Sequence, residues 1–477
     1  GPGEPNGAGA AFFIRGRAAS FAGSGESATG AFTPAGLSQP FAPTVPAVQT
    51  ARLPRSAGAD QGAASPRAPG RGPQTPQPDA RTPATAVVND RAAERLRSGH
   101  VWVFASEVLG WEPAPPPAPA LTGRVRDRRG RMLGVADFSP LSEIRLRLLS
   151  RDADQPIGPA WFRRRLEQAI AWRRHVIRDS DAYRVVAAEA DALPGLIVDR
   201  YGPALVIQTL TWAMAQRQTE LIALLDELLA PAALVERNDV RVRQKEGLEL
   251  RAGLLRGANG EVDATINGLR FHFDLLAGQK TGGFLDQREN WAAAGRWVER
   301  LGLKTALDVF CYQGGFALQL ARSGAKVEAT DSSRPALEVA ERNASANGLI
   351  GIDWIEANAF DLLRDYDAAG RQIGAVVLDP PAFAKSRARL ESAMAGYKEI
   401  NLRALKVLQP GGVLVSCSCS HHVSEVMLLE VIRAAAADAR VPLRVLERRT
   451  QGLDHPSLVG VPESNYLKCI IAMRLPE

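Results

Sequence analysis

Cysteine and lysine are scarce in this chain of 477 residues. Four Cys (311, 417, 419 and 469) do not make a disulfide framework at this length, and the CxC spacing of Cys417 and Cys419 lacks the second Cys or His pair of a zinc site. A reducing compartment fits. No apolar run approaches the ~20 residues of a membrane span, and the one short apolar patch near the N-terminus, at 10–14, is briefer than a signal-peptide core. The cytoplasm is the expected location. Of 58 basic residues only 8 are Lys and 50 are Arg, against 52 acidic residues, for a net charge of +6.

The first 85 residues are poor in anything that builds a core. They hold 13 of the 32 Pro, 13 of the 43 Gly and no Lys, so few side chains offset the entropy of ordering the chain. A disordered extension is expected over 1–85. The roughly 390 residues beyond it have room for about three domains.

Over 86–155 the pattern is short and strand-like. Val101-Trp102-Val103-Phe104 is one piece and 123–126 another; Arg129-Gly130 turns into 132–138, and 144–149 alternates Arg with Ile or Leu. Alternation at period two describes a small, half-buried β domain. Arg124, Arg126, Arg128, Arg129, Arg131, Arg145, Arg147 and Arg151 outnumber the three acidic residues among them, Asp127, Asp137 and Glu143. The guanidinium fork suits phosphate, so this surplus reads as a phosphate-binding face or, more plainly, as solvated strand edges.

A small α/β domain is expected over 156–270, with a helix at 161–178, a buried strand within 193–202, its hairpin partner at 204–210, a helix over 214–229 and a strand near 233–236. From 271 to 477, apolar strands at 305–310, 326–330, 352–356, 374–378, 412–417 and 467–474 alternate with helices at 314–323, 333–346, 390–407 and 422–436. Such alternation predicts a mostly parallel sheet covered on both faces.

Four strand ends carry chemistry. Leu307-Asp308-Val309-Phe310-Cys311-Tyr312-Gln313-Gly314-Gly315-Phe316 ends a strand in Asp and turns through paired Gly into a helix, and Asp331 ends the next strand. The GxGxxG phosphate fingerprint is absent, so the pairing suits an adenosine ligand without a pyrophosphate, such as S-adenosylmethionine. The plainer reading is that both Asp cap helices. Asp379-Pro380-Pro381-Ala382-Phe383 then fixes a carboxylate and a ring beyond another strand, a geometry that suits a nucleobase. Val415-Ser416-Cys417-Ser418-Cys419-Ser420-His421-His422 brings thiols and imidazoles to the same edge. Adjacent strand residues face opposite ways, which disfavours zinc. A nucleophilic thiol activated by the helix beginning near His422 is the better reading, and buried strand-end Cys the bland one.

Arg95-Leu96-Arg97-Ser98-Gly99-His100 before Val101, the segment 193–202, Gly278-Gln279-Lys280-Thr281-Gly282-Gly283-Phe284-Leu285-Asp286-Gln287-Arg288, the turn at 310–316, Asp379 to Phe383 and Ser418-Cys419-Ser420 follow one another in order. In that order they resemble the bacterial 23S ribosomal RNA methyltransferases of the cytosine-C5 type. The resemblance runs from about 86 to the C-terminus. It implies an α/β fold: a Rossmann-like class I methyltransferase domain over 271–477, preceded by a PUA-like RNA-binding domain over 86–155 and a central α/β domain over 156–270.

The same resemblance implies S-adenosyl-L-methionine as cofactor, with Gln279 and Lys280 in the stretch lining its pocket. Asp308, Phe310 and Gly314 would line the methionine side, Asp331 the ribose, and Ser332 would sit beside it. Asn358 stands where relatives often carry Asp, facing the adenine amino group, and Gly283 where an aromatic residue is usual. Asp379 would reach both the cofactor and the base edge, supporting protonation at N3. Pro380 and Phe383 would contact the substrate. Cys419 would be the nucleophile, with Cys417 in reserve, because a thiolate adding to C6 is what makes cytosine C5 nucleophilic. No metal is called for; the partners implied are 23S rRNA and a second copy of the chain in a homodimer. The alternatives are a methyltransferase acting on a ring nitrogen such as guanine N7 without a Cys nucleophile, and a non-catalytic RNA-binding protein.

Overall fold

The computed structural model describes residues 84–112, 121–383 and 389–476. The extension expected over 1–85 falls, apart from its last two residues, outside the described residues. Strands β1 (Thr85–Val88), β2 (Trp102–Phe104), β3 (Val108–Glu112), β4 (Thr122–Asp127), β5 (Met132–Phe138) and β6 (Ile144–Ser150) make one sheet in the order β2-β6-β5-β4-β1-β3. Burial alternates strictly along β4, as period-two patterning requires. Helix α1 (Asp90–Arg97) starts where Asn89 accepts the Ala92 amide at 2.9 Å, and it buries Ala92, Ala93 and Leu96.

The Arg surplus on this sheet is mostly spent inside the protein. Arg124 pairs with Asp154 at 2.6 Å, Arg126 with Glu112 at 2.5 Å and Arg131 with Asp127 at 2.8 Å. Arg145 donates to the Pro140 carbonyl and Arg151 to the Leu96 carbonyl. Arg147 is buried against Glu246, at 2.8 Å. Six of the eight thus carry a bond within the protein, and Arg128 and Arg129, exposed at the β4–β5 turn, have no side-chain partner among the described residues.

The next sheet has the order β11-β10-β9-β8-β7. It is made of β7 (Ala182–Ala187), β8 (Leu196–Tyr201), β9 (Ala204–Thr209), β10 (Ala233–Asn238) and β11 (Arg251–Arg256), backed by α2 (Pro159–Val176). The helix expected over 214–229 is two helices, α3 (Trp212–Gln216) and α4 (Gln218–Leu229). They part at Arg217, whose backbone leaves helical geometry and whose guanidinium turns to Asp137 of β5, donating at 3.0 Å. A hairpin of β12 (Glu261–Ile266) and β13 (Leu269–Asp274) follows. The junction expected at 270/271 lies within β13, whose Phe271 and Phe273 sink into the same core as the C-terminal sheet.

That sheet has seven strands: β14 (Thr305–Val309), β15 (Lys326–Asp331), β16 (Ile352–Glu356), β17 (Ile373–Leu378), β18 (Leu408–Ser418), β19 (Leu443–Arg449) and β20 (Lys468–Arg474), in the order β16-β15-β14-β17-β18-β20-β19. The first five pair in parallel, and β20 is antiparallel to both β18 and β19. Helices α5 (Arg288–Leu301), α6 (Gly315–Arg322), α7 (Arg334–Ala346), α8 (Ala359–Ala368), α9 (Leu390–Val407) and α10 (Glu425–Ala439) cover it. Every residue of β17 is buried, and each of its large apolar side chains contributes roughly 1.5–3 kcal/mol. The fold class is the expected one, and it places the C-terminal ends of β14, β15, β17 and β18 along a single edge. No helix among the described residues is long and apolar enough to cross a membrane.

Two buried ion pairs, Arg147 with Glu246 and Arg217 with Asp137, fasten the first sheet to the connections around the second. Glu246 also accepts the Trp212 amide at 3.0 Å. Glu246→Ala would leave Arg147 buried and uncompensated, and is expected to cost about 3–5 kcal/mol, measured as a fall in the urea midpoint.

Candidate active site

A cavity of about 340 Å³ opens at the shared strand edge. Gln279 and Lys280 line it from the loop before α5, Phe310 from the end of β14, and Asp331 and Ser332 from the end of β15. Asp379 and Pro380 approach from the end of β17 and Cys419 from the end of β18. Eight of the expected site residues thus converge.

Four others do not line the cavity. Asp308 is fully buried and accepts the Ala317 amide at 2.8 Å. Gly314 caps α6 at φ +87°, and a Cβ there would lie 2.6 Å from Leu318. Asn358 spends its side-chain oxygen on the start of α8, accepting from the Phe360 amide at 2.9 Å. Phe383 packs on Tyr397, ring centroids 4.7 Å apart.

The turn at 310–314 is strained. Phe310 (φ +68°) and Tyr312 (φ +48°) both sit in the left-handed region, where side chains are costly. What holds them is Asp331, whose Oδ2 accepts the Tyr312 amide at 2.9 Å while Oδ1 accepts that of Ser333 at 3.0 Å. Both aspartates therefore organise helix starts, as the plainer reading had it, and Asp331 in addition faces the cavity.

Burial and the nearby Asp286 carboxylate push the Asp379 carboxyl up to about 7, against the pull of Lys280 and a 2.9 Å hydrogen bond from Gln287. Burial and Asp379 likewise raise the Cys419 thiol, with Lys280 opposing. Activation by a helix N-terminus is not what the structure provides: α10 begins at Glu425, with Ser424 as its cap. Lys280 is a cation near the thiol, held 2.6 Å from Asp286 and 4.5 Å over the Phe284 ring. Cys417 is sealed in the core opposite Cys469, and burial raises its thiol well above the ordinary range.

Sequence reasoning missed the residues that hold this loop. Arg184 clamps Asp199 of β8 at 2.8 and 2.9 Å. Asp199 accepts from the Thr281 hydroxyl at 2.7 Å, and the Tyr201 hydroxyl bonds both Thr281, at 3.0 Å, and the Gly283 amide, at 3.1 Å. Asp199 and Tyr201 were visible inside the 193–202 segment, but nothing local tied them to a loop 80 residues on.

Residues 238–466 match the family described as S-adenosylmethionine-dependent methyltransferase, and 86–151 match a PUA-like domain. A ribosomal RNA large subunit methyltransferase I from Tolumonas auensis is 39% identical over 393 residues, covering 80% of this chain and 97% of that protein. One of the same name from Shewanella amazonensis is 39% identical over 383 residues, 78% of this chain and 95% of the relative. The chain belongs to the ribosomal RNA large subunit methyltransferase I family. Among solved structures, a protein from Streptococcus mutans described as a SAM-dependent methyltransferase superposes with TM-score 0.68 at 18% identity, covering 82% of this chain and 99% of that one. A further methyltransferase, in complex with S-adenosylhomocysteine, gives 0.69 at 19%, with the same coverage. Both show the fold.

Like its family, this methyltransferase uses S-adenosylmethionine, and its cavity suits that cofactor. Asp331 retains lone pairs for a ribose, and Phe271, Phe273 and Trp291 supply apolar wall. A Cβ at Gly315 would meet the Trp291 ring at 2.3 Å, so only Gly leaves that wall intact. Tyr201→Phe removes two hydrogen bonds from the loop and should weaken cofactor binding about tenfold, ~1.4 kcal/mol, as measured by calorimetry.

Proposed function

We propose that the chain methylates C5 of a cytosine in 23S ribosomal RNA through a covalent adduct at Cys419. The observation that carries this reading is the position of Cys419 in the cavity with Asp379, while Cys417 is shut into the core. Gln279, Lys280, Phe310, Asp331 and Ser332 would hold the cofactor. Bound there, S-adenosylmethionine supplies an electrophilic methyl group.

The protein's own residues prepare the base to take that methyl. The Cys419 sulfur adds to C6, and the protonated Asp379 carboxyl donates to N3, so that the ring becomes an enamine nucleophilic at C5. A carboxyl poised near pH 7 suits proton donation and return. Once C5 carries the methyl, its proton passes to solvent, the C6–sulfur bond breaks to return the Cys419 thiolate, and N3 gives its proton back to the Asp379 carboxylate, which restores the aromatic ring. The raised thiol gains nucleophilicity from Lys280 once Asp379 is neutral. Pro380 presents the base edge to this pair.

A base must leave its stack to reach the cavity, and the PUA-like domain is the natural grip on the surrounding RNA. Arg128 and Arg129, with no side-chain partner among the described residues, are the phosphate contacts we assign to its β4–β5 turn, so affinity should fall with salt, with a slope of at least about two charges. The reading places the protein in the cytoplasm and, as the resemblance implies, in a homodimer, which sedimentation of the purified chain reads directly.

Digestion of RNA methylated by the purified protein should yield 5-methylcytidine. Cys419→Ala should abolish that product and Cys417→Ala retain it; 7-methylguanosine, or full activity in Cys419→Ala, overturns the mechanism. As pH rises through about 7, Asp379 loses the proton it donates, so the rate should fall on the alkaline side. Asp379→Asn should abolish that limb and lower kcat by about 10²-fold or more.

A further inference from the structure

A second cavity, of about 380 Å³, lies where the PUA-like sheet meets the central domain. It is comparable in size to the cofactor cavity, and the methyl-transfer reading makes no use of it. Its floor is apolar, with Val101, Leu148, Leu149 and Pro194. One wall is the short turn Ala188–Asp191, which is bracketed by two alanines in the left-handed region, Ala188 (φ +46°) and Ala192 (φ +57°). Two non-Gly residues so close together in that region mark a segment held against its preference.

That turn is fixed by Asp191, both of whose oxygens are taken, by Arg173 at 2.5 Å and by the Ala187 amide at 2.6 Å. Glu189 is not closed off in this way: one oxygen accepts the Trp102 indole at 3.0 Å, and the other has no partner among the described residues. Arg165 and Gln168 of α2 line the same cavity. Arg165 donates to the Gln168 carbonyl oxygen at 3.1 Å, which turns the Gln168 amide nitrogen free, and the Arg165 Nε is buried without a partner. Arg151, exposed at the rim, uses one nitrogen on the Leu96 carbonyl.

We propose that this cavity holds one unstacked guanosine nucleotide of the RNA substrate. Guanine offers two adjacent donors, N1–H and the amino group, to the Glu189 carboxylate, and an acceptor beside them, O6, to the Gln168 amide or the Arg165 guanidinium. Its ring lies on the apolar floor, and its phosphate meets Arg151. The inference rests on RNA being the substrate, but binding at the cavity is measured without methyl transfer.

Guanosine monophosphate is titrated into the full chain with S-adenosylhomocysteine present to fill the first cavity. Saturable binding is expected, with adenosine, cytidine and uridine monophosphates about tenfold weaker or more. Glu189→Gln keeps an acceptor for Trp102 while removing the charge, and should weaken guanosine monophosphate about tenfold, leave S-adenosylhomocysteine binding unchanged and raise the KM for rRNA with kcat unaltered. Gln168→Ala, at an exposed side chain, should act in the same direction. No binding, equal binding of all four nucleotides, or binding unaffected by both variants overturns the proposal. Guanosine monophosphate binding with an unchanged KM for rRNA in Glu189→Gln assigns the cavity to a free nucleotide and overturns its role in RNA recognition. Failure of methyl transfer with these binding results intact overturns instead the reading of the first cavity.

Discussion

The hydrogen bonds from Tyr201 and Asp199 to Thr281 and Gly283 are the interaction on which the cavity depends. The loop before α5 forms one whole side of it and supplies Gln279, Lys280, Asp286 and Gln287. Such a loop has little core of its own, and its Gly-rich sequence gives it many conformations to lose. Pinning comes from another sheet altogether, through hydroxyls anchored on a carboxylate that Arg184 holds ionised in spite of its burial. The central domain thereby becomes part of the catalytic apparatus without touching a reacting atom.

Charges inside the cavity follow from that placement. Lys280 neutralises Asp286, to which the Tyr466 hydroxyl also donates, at 2.8 Å. The Asp379 carboxylate beside it is left with a nearby negative charge, deep burial and one amide donor, so it holds its proton more tightly than an ordinary Asp. An acid and a thiol with opposite needs thus share one site, each biased toward its neutral form until ligands enter.

Much of this was legible in the sequence. The parallel sheet followed from apolar runs of the right length, and α9 matches its expected bounds because Leu, Ala, Tyr and Ile recur along it at helical spacing. What stayed hidden was decided by partners far away in the chain. The edge strand β19 reads as charged and half exposed, and pairing with β20 makes it a strand. α8 is a short helix whose start depends on Asn358, a residue expected to face adenine instead. Arg147 reads as one more solvated strand-edge charge, whereas Glu246, 99 residues on, buries it. At the site, strand-end residues could be read because a parallel sheet collects them at one edge, whereas Gln287 and Tyr201 could not, because contacts across loops leave no period.

A last feature lies far from the chemistry. Gly99, at φ +109° before β2, and Gly460, between β19 and β20, press backbone on backbone so closely that a Cβ on Gly460 would lie 2.4 Å from the Gly99 carbonyl, and His100 reaches Glu463 at 3.4 Å beside them. The PUA-like sheet is therefore clasped at two places, to the central domain through Arg147 and Asp137 and to the C-terminal domain through this glycine contact. On the reading proposed above, an RNA gripped by that sheet would have to span the interval these contacts set in order to offer a base to the cavity, so the spacing of grip and base would join chemistry as a criterion of selection.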